Sequence, residues 1–134
     1  VLVARFSQIH IHNQLVTAWF SAPGIQFAIC AFTEAGFLRI MTGARPGQIT
    51  MADATAILNQ LTQHPGYRYL SITADWQTLC SPFFARLYGT NQVTDAYLLG
   101  LAVREGLVFV TMDKGILHLA GEEFRKHVLL LGST

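Results

Sequence analysis

Residues 93–113 run Val93-Thr94-Asp95-Ala96-Tyr97-Leu98-Leu99-Gly100-Leu101-Ala102-Val103-Arg104-Glu105-Gly106-Leu107-Val108-Phe109-Val110-Thr111-Met112-Asp113. Ala96, Leu98, Leu99, Ala102 and Val103 leave little polar surface on a helix, so a deeply packed one is predicted, capped by Thr94 and stopped by Gly106. Leu107 to Thr111 is then a short continuous apolar run, the pattern of a strand buried on both faces of a parallel sheet. An acid, Asp113, follows two residues later.

The same alternation extends in both directions. Downstream, Lys114 to Ala120 reads as a short helical excursion and Val128 to Leu131 as a last strand. Upstream, Trp76 to Tyr88 is helical but interrupted by Pro82, and Tyr69 to Ile72 is β-prone. Thr50-Met51-Ala52-Asp53 has the form of a capping box, and Ala54, Ile57, Leu58 and Leu61 continue one apolar face up to His64-Pro65-Gly66. Gly43 to Gly47 is a loop holding Arg45 and Pro46. Before it, Gln26 to Ala31 reads as a buried strand that passes directly into a helix from Thr33, its cap, through Met41. Ile11 to Phe20 has helical spacing, Pro23-Gly24 is a turn, and Val1 to Ala4 resembles the tail of a buried strand. Strands alternating with helices predict an α/β fold with a central, mostly parallel sheet flanked by helices. With no repeat and no linker, residues 1–134 are expected to form a single domain.

Composition narrows the function classes. Of the 134 residues 51% are hydrophobic and only 13% charged, roughly half the usual charged share of about 25%, which excludes a disordered tail. The net charge of +1 falls short of a dedicated nucleic-acid clamp, so any polyanion must meet a local patch. No charged residue occurs from Phe6 through Thr33, a length that could cross a bilayer. His10, His12, Asn13, Gln14, Ser21 and Gln26, with the Pro23-Gly24 break, argue instead for a surface covered by a protein partner and for no membrane contact. Cys30 and Cys80 lie far apart in apolar surroundings, so neither a disulfide framework nor a zinc site is indicated. No signal peptide is recognisable, and a cytoplasmic location is expected.

With eight acids in the chain, their placement carries information. Glu34 follows one strand, Asp95 opens a helix and Asp113 follows another strand, so all three sit at element junctions. In open α/β sheets such junctions at the carboxyl ends of strands converge on one rim, where ligands bind. Two carboxylates about 4 Å apart repel by roughly 4 kcal/mol at an effective dielectric of 20, so a cluster holds either a proton or a cation. Oxygen donors alone favour Mg²⁺ or Mn²⁺ over zinc. A helix dipole alone accounts for any single acid at a helix start, at roughly 0.3–1 kcal/mol, but less readily for all three together. Asp53 belongs to its capping box, Asp75 caps the helix that begins at Trp76, and Glu105, Glu122 and Glu123 are solvated helix ends.

Three blocks, Phe32-Thr33-Glu34-Ala35-Gly36-Phe37-Leu38-Arg39-Ile40, Val93-Thr94-Asp95-Ala96-Tyr97-Leu98 and Val110-Thr111-Met112-Asp113, resemble in order and spacing the PIN-domain ribonucleases, and among them the VapC-type toxins of bacterial toxin–antitoxin pairs. The resemblance implies a Mg²⁺- or Mn²⁺-dependent endoribonuclease, usually a homodimer. Its implied partner is a cognate VapB-type antitoxin that silences it, with DNA reached only through that antitoxin. Glu34, Asp95 and Asp113 are thereby implied as catalytic, metal-site acids, and Arg39 and Thr111 as motif positions on the substrate side. The family opens with a strand of the form D-x-N-x-L whose Asp is the first metal ligand. On that alignment this chain starts with Val-Leu just after it, so that Asp is expected upstream of Val1. A PIN module without it, catalytically inactive and acting through protein binding, is the alternative; a DNA-cleaving nuclease with the same acids is a third reading.

Other features compete poorly. Arg39 can neutralise a substrate phosphate or pair with one of the acids, and both readings stand. Arg45, Arg68 and Arg86 are candidates for an RNA path only because they are basic. His10 and His12 point to different sides of a helix and favour helix entry over metal binding. Trp19, Trp76, Phe83 and Phe84 are expected in the core or on a dimer surface before any role in stacking on bases. No phosphate-binding glycine loop and no G-x-S-x-G nucleophile elbow is present.

Overall fold

The computed structural model describes residues 13–44 and 48–132. The predicted strand at Val1 to Ala4, the His10-x-His12 pair and Arg45 lie outside them. The chain divides into two compact units between Ile72 and Thr73.

The first unit contains α1 (Asn13–Phe20), β1 (Phe27–Cys30), α2 (Ala31–Met41), α3 (Met51–Thr62) and β2 (Tyr67–Leu70). β1 and β2 pair in parallel with Phe27 opposite Tyr67 and Cys30 opposite Leu70. That register places β2 two residues earlier than the β-propensity of residues 69–72 suggests, because hydrogen bonding to β1, not the local preference, sets its limits. Gly66 lies so close to β1 that a Cβ there would overlap the Ile25 carbonyl oxygen, and its own carbonyl accepts the Phe27 N–H at 2.9 Å. Ile29, Phe37, Met41, Ala54 and Leu61 form the core of this unit. The capping box forms as expected, with the Thr50 hydroxyl accepting the Asp53 N–H at 3.1 Å. Thr33 does not cap α2. Cys30, the last residue of β1, is the N-cap without a side-chain bond, and the Thr33 hydroxyl lies within the first turn, 3.7 Å from the Cys30 sulfur.

The second unit contains α4 (Trp76–Cys80), a 3₁₀ turn (Ser81–Arg86), a second at Thr90–Gln92, α5 (Val93–Arg104), β3 (Phe109–Thr111), α6 (Gly115–Ala120), a third 3₁₀ turn (Arg125–His127) and β4 (Val128–Leu130). Pro82, which lacks an N–H, ends α4 and converts the predicted long helix into a short one plus a 3₁₀ turn. β3 and β4 pair in parallel, Phe109 opposite Val128, and the Leu131 N–H extends the pairing to the Thr111 carbonyl at 2.8 Å. Leu79, Phe83, Leu99, Ile116 and Leu119 are almost wholly buried here. α5 packs on α4 through Gly100, where a Cβ would overlap the Leu79 carbonyl oxygen. α5 begins one residue before the predicted cap, so Thr94 lies inside the helix and Gln92 is its N-cap, without a side-chain bond.

The end of α5 is as predicted. Gly106 has φ +67°, its N–H donates to Val103 O (3.3 Å), and the Leu107 N–H donates to Ala102 O (2.8 Å). This pair of bonds is a Schellman motif, which satisfies helix-end carbonyls and launches the chain into β3. Both cysteines are free and buried, and burial pushes the Cys80 thiol up, away from reactive thiolate chemistry. Among the described residues no helix is long and apolar enough to cross a membrane.

Candidate active site

The sequence-predicted acids separate between the units. In the second, β3 ends at Thr111, which is 8% exposed and is the polar residue buried in this region. Its hydroxyl accepts the Asp113 N–H at 3.0 Å, while Asp113 Oδ1 accepts the Gly115 N–H at 2.8 Å. The Asp113 carbonyl accepts the Ile116 N–H at 3.2 Å. Backbone and side chain are therefore both fixed as the strand turns into α6, and the carboxylate is presented at an exposed position. Thr111 is thereby tied to Asp113. Gly115 is part of the same device, since a Cβ there would stand 3.1 Å from Oδ1.

Asp95 is the third residue of α5 and is half-buried. Burial first, and the charge of Asp113 second, hold its carboxyl above the ordinary carboxylate range. A helix N-terminus by itself favours an acid's charge, so the upward direction comes from burial and the neighbouring acid and not from the dipole. Asp75 shows the contrast. It is exposed, accepts the Thr78 N–H at 2.9 Å, and that bond lowers its pKa, the signature of a cap. Asp53 and Asp75 thus serve structure as expected, whereas Asp95 is not explained as a cap.

In the first unit, Glu34 lies in the first turn of α2 and is half-buried. Burial, followed by the Glu34 charge and then Tyr69, raises the phenol of Tyr67 on β2. Arg39 stands exposed in the last turn of α2, five residues from Glu34, which is about 140° around a helix of 3.6 residues per turn. It forms no ion pair with an acid among the described residues. No group of three His, Cys, Asp or Glu side chains placed to hold a metal forms among the described residues. Asp95 and Asp113 are the acids whose charges are shown to interact. Their donor set, carboxylate oxygen without sulfur or imidazole, fits a hard divalent cation.

Several basic and aromatic residues have uses that local sequence does not reveal. Arg86 Nη1 donates to the carbonyls of Leu119 and Ala120, both at 3.3 Å, at the end of α6. It is a helix cap and is removed from the RNA-path candidates. Arg68 is exposed on β2, and Lys114 is exposed beside Asp113. Phe83 is fully buried, while Trp76 and Phe84 are exposed, with ring centroids 5.3 Å apart and planes tilted by 34°. Tyr88 stacks on His118 at 4.9 Å with an interplanar angle of 24°, a pairing thirty positions apart in sequence and without a local signal.

Comparison with known proteins follows the whole chain. Ribonuclease VapC38 of Mycobacterium tuberculosis (strain ATCC 25618 / H37Rv) is 39% identical over 133 residues, covering 97% of this chain and 92% of the relative. Ribonuclease VapC44 of Mycobacterium tuberculosis (strain CDC 1551 / Oshkosh) is 34% identical over 118 residues, 87% of this chain and 83% of the relative. Ribonuclease VapC29 of the same strain is 26% identical over 122 residues, 91% and 87% of the two chains. No family model matches the sequence.

Proposed function

Because the chain belongs to the VapC family of ribonucleases, we propose that it is a metal-dependent endoribonuclease toxin that hydrolyses RNA phosphodiester bonds and is neutralised by a VapB-type antitoxin. The observation that carries this reading is the Asp95–Asp113 pair: a half-buried carboxylate at a helix start, raised by burial and by a second acid anchored at a strand end. Such a pair costs stability at neutral pH, and a bound divalent cation removes that cost.

Asp95 and Asp113 are the residues assigned to hold Mg²⁺ or Mn²⁺, and Glu34 is the further acid that the family resemblance assigns to metal binding. When bound, the cation supplies an activated water at neutral pH and stabilises charge on the phosphate. The remaining steps belong to the chain. Thr111 and Gly115 keep the Asp113 carboxylate from turning inward. Arg39 and Lys114, both exposed, supply positive charge for RNA phosphates, Arg39 with a geometry suited to two-pronged contact. Water's oxygen bonds to phosphorus, the bond to the leaving ribose oxygen breaks, and the water's proton is lost as the leaving oxygen gains one. A homodimer is part of the same proposal.

The test is RNA cleavage by full-length, antitoxin-free protein with Mg²⁺ or Mn²⁺, against EDTA and against Asp95→Asn. The expected result is cutting that requires the cation and falls at least a hundredfold in the variant, the loss typical of a group that stabilises transition-state charge. Folded protein that cuts no RNA class, or cuts equally well as Asp95→Asn, contradicts the reading.

A further inference from the structure

Tyr88 is 78% exposed, more than any other large apolar or aromatic side chain of the described residues. An unconstrained surface tyrosine lays its ring along apolar neighbours. Here one face is held by the His118 ring at 4.9 Å and 24°. The backbone is held as well, because the Tyr88 N–H donates to Gln92 Oε1 at 2.7 Å. Gln92 is the N-cap of α5, the helix that carries Asp95 in its first turn. His118 belongs to α6, the helix that Asp113 introduces. The stack therefore joins the two elements that present the paired acids. Lys114 is exposed at the start of that same helix.

The result is a flat aromatic face, fixed in orientation and open to solvent, tethered to the elements bearing the acids. Unpaired bases are recognised by stacking on such faces, and each stacked base is worth roughly a tenfold or greater change in affinity. Because the ring is already held, little rotamer freedom is lost when a base arrives. We propose that Tyr88, backed by His118, is a stacking platform for an unpaired base of the RNA beside the scissile phosphate, an assignment that rests on the nuclease reading above. Tyr88 is a positioning and selectivity residue, not a catalytic one.

The experiment uses single-stranded, fluorophore-labelled RNA oligonucleotides with one abasic position moved along the strand, bound in Mg²⁺ to the Asp95→Asn protein and to the same protein carrying Tyr88→Ala, Tyr88→Phe or His118→Ala. At one position the missing base is expected to weaken binding about tenfold. In Tyr88→Ala that penalty disappears, in Tyr88→Phe it persists, and in His118→Ala it shrinks. In the protein with Asp95 intact, Tyr88→Ala is expected to raise KM for the intact oligonucleotide about tenfold with kcat little changed. Identical abasic profiles with and without the Tyr88 ring overturn the proposal. So does a Tyr88→Ala protein that loses self-association or antitoxin binding while its RNA profile is unchanged, since the ring is then a protein contact. Cleavage persisting in Asp95→Asn overturns the role given to Asp95, cutting of no RNA by the protein with Asp95 intact overturns the nuclease reading, and in either case the abasic profile still reports on Tyr88.

Discussion

The two units are variations on one plan with different electrostatics. Each has a parallel strand pair and an acid shortly after its first strand, Glu34 after β1 and Asp113 after β3. Each also has a glycine where backbone meets backbone, Gly66 against Ile25 and Gly100 against Leu79. In the first unit the acid's charge is felt by a phenol, Tyr67. In the second, burial first and the charge of Asp113 second raise the carboxyl of Asp95. Beyond their different helices, the units differ in which group feels the acid's charge. Folding alone would not favour such a pair, and that contrast is what the proposed cation site rests on.

The shared plan is tested most severely at the two glycines. Gly100→Ala and Gly66→Ala each drive a methyl group into a backbone oxygen, and each is expected to cost about 3 kcal/mol or more in urea unfolding. Gly36→Ala is the control. It lies in α2 with nothing within 4 Å of its added methyl, and it is expected to stabilise by about 0.5–1 kcal/mol. If Gly100→Ala melts like the wild type, the close packing of α4 on α5 is wrong. Gly106→Ala comes next: the site is open, but φ +67° disfavours a side chain by about 1–2 kcal/mol. A smaller loss would mean that the Schellman end of α5 is not essential to the second unit.

The smallest effect concerns pH and is the sharpest test of the electrostatic contrast. A carboxyl raised in the folded state keeps a proton that the unfolded chain has already lost. Asp95 therefore lowers stability progressively as pH rises from the ordinary value of 3.8 through its raised one, and the deficit persists above it. Asp75 acts in the opposite sense: its contribution is present above its ordinary value and is lost as pH falls through the lowered one. Unfolding curves from pH 3 to 7 are expected to show a flatter rise in Asp75→Asn and a steeper net rise in Asp95→Asn. Reversed slopes would assign the wrong sign to both groups.

Much of this was legible in the sequence where the signal is local. The capping box at Thr50, the glycine stop at Gly106, the Pro82 interruption and the Asp75 cap depend on residues within a turn of one another, and each forms as the chain order predicts. The acids at element junctions were visible for the same reason. Signals that depend on distant partners were not. Thr33 and Thr94 have the chemistry of caps, yet strand pairing and the 3₁₀ turn at Thr90–Gln92 start their helices earlier and enclose both threonines. β2 begins at Tyr67 because Phe27 is opposite it. Arg86 looks like any surface base until the end of α6 arrives beneath its guanidinium. The Asp113-Lys114-Gly115 turn was within reach of sequence reasoning, since an Asp two residues before Gly is a common side-chain turn. The Tyr88–His118 stack was not.

The proposed role of Asp95 and Asp113 is that of a destabilising pair kept for a cation. It is tested most directly by thermal unfolding of the full-length protein and Asp95→Asn at neutral pH, each in EDTA and in Mn²⁺. In EDTA the variant is expected to melt higher by about 3 °C, reflecting about 1 kcal/mol or less for a group that water partly screens. Mn²⁺ is expected to raise the melting temperature of the wild type and leave that of Asp95→Asn nearly unchanged. A variant that melts lower than the wild type in EDTA, together with an equal Mn²⁺ shift in both proteins, would contradict the account.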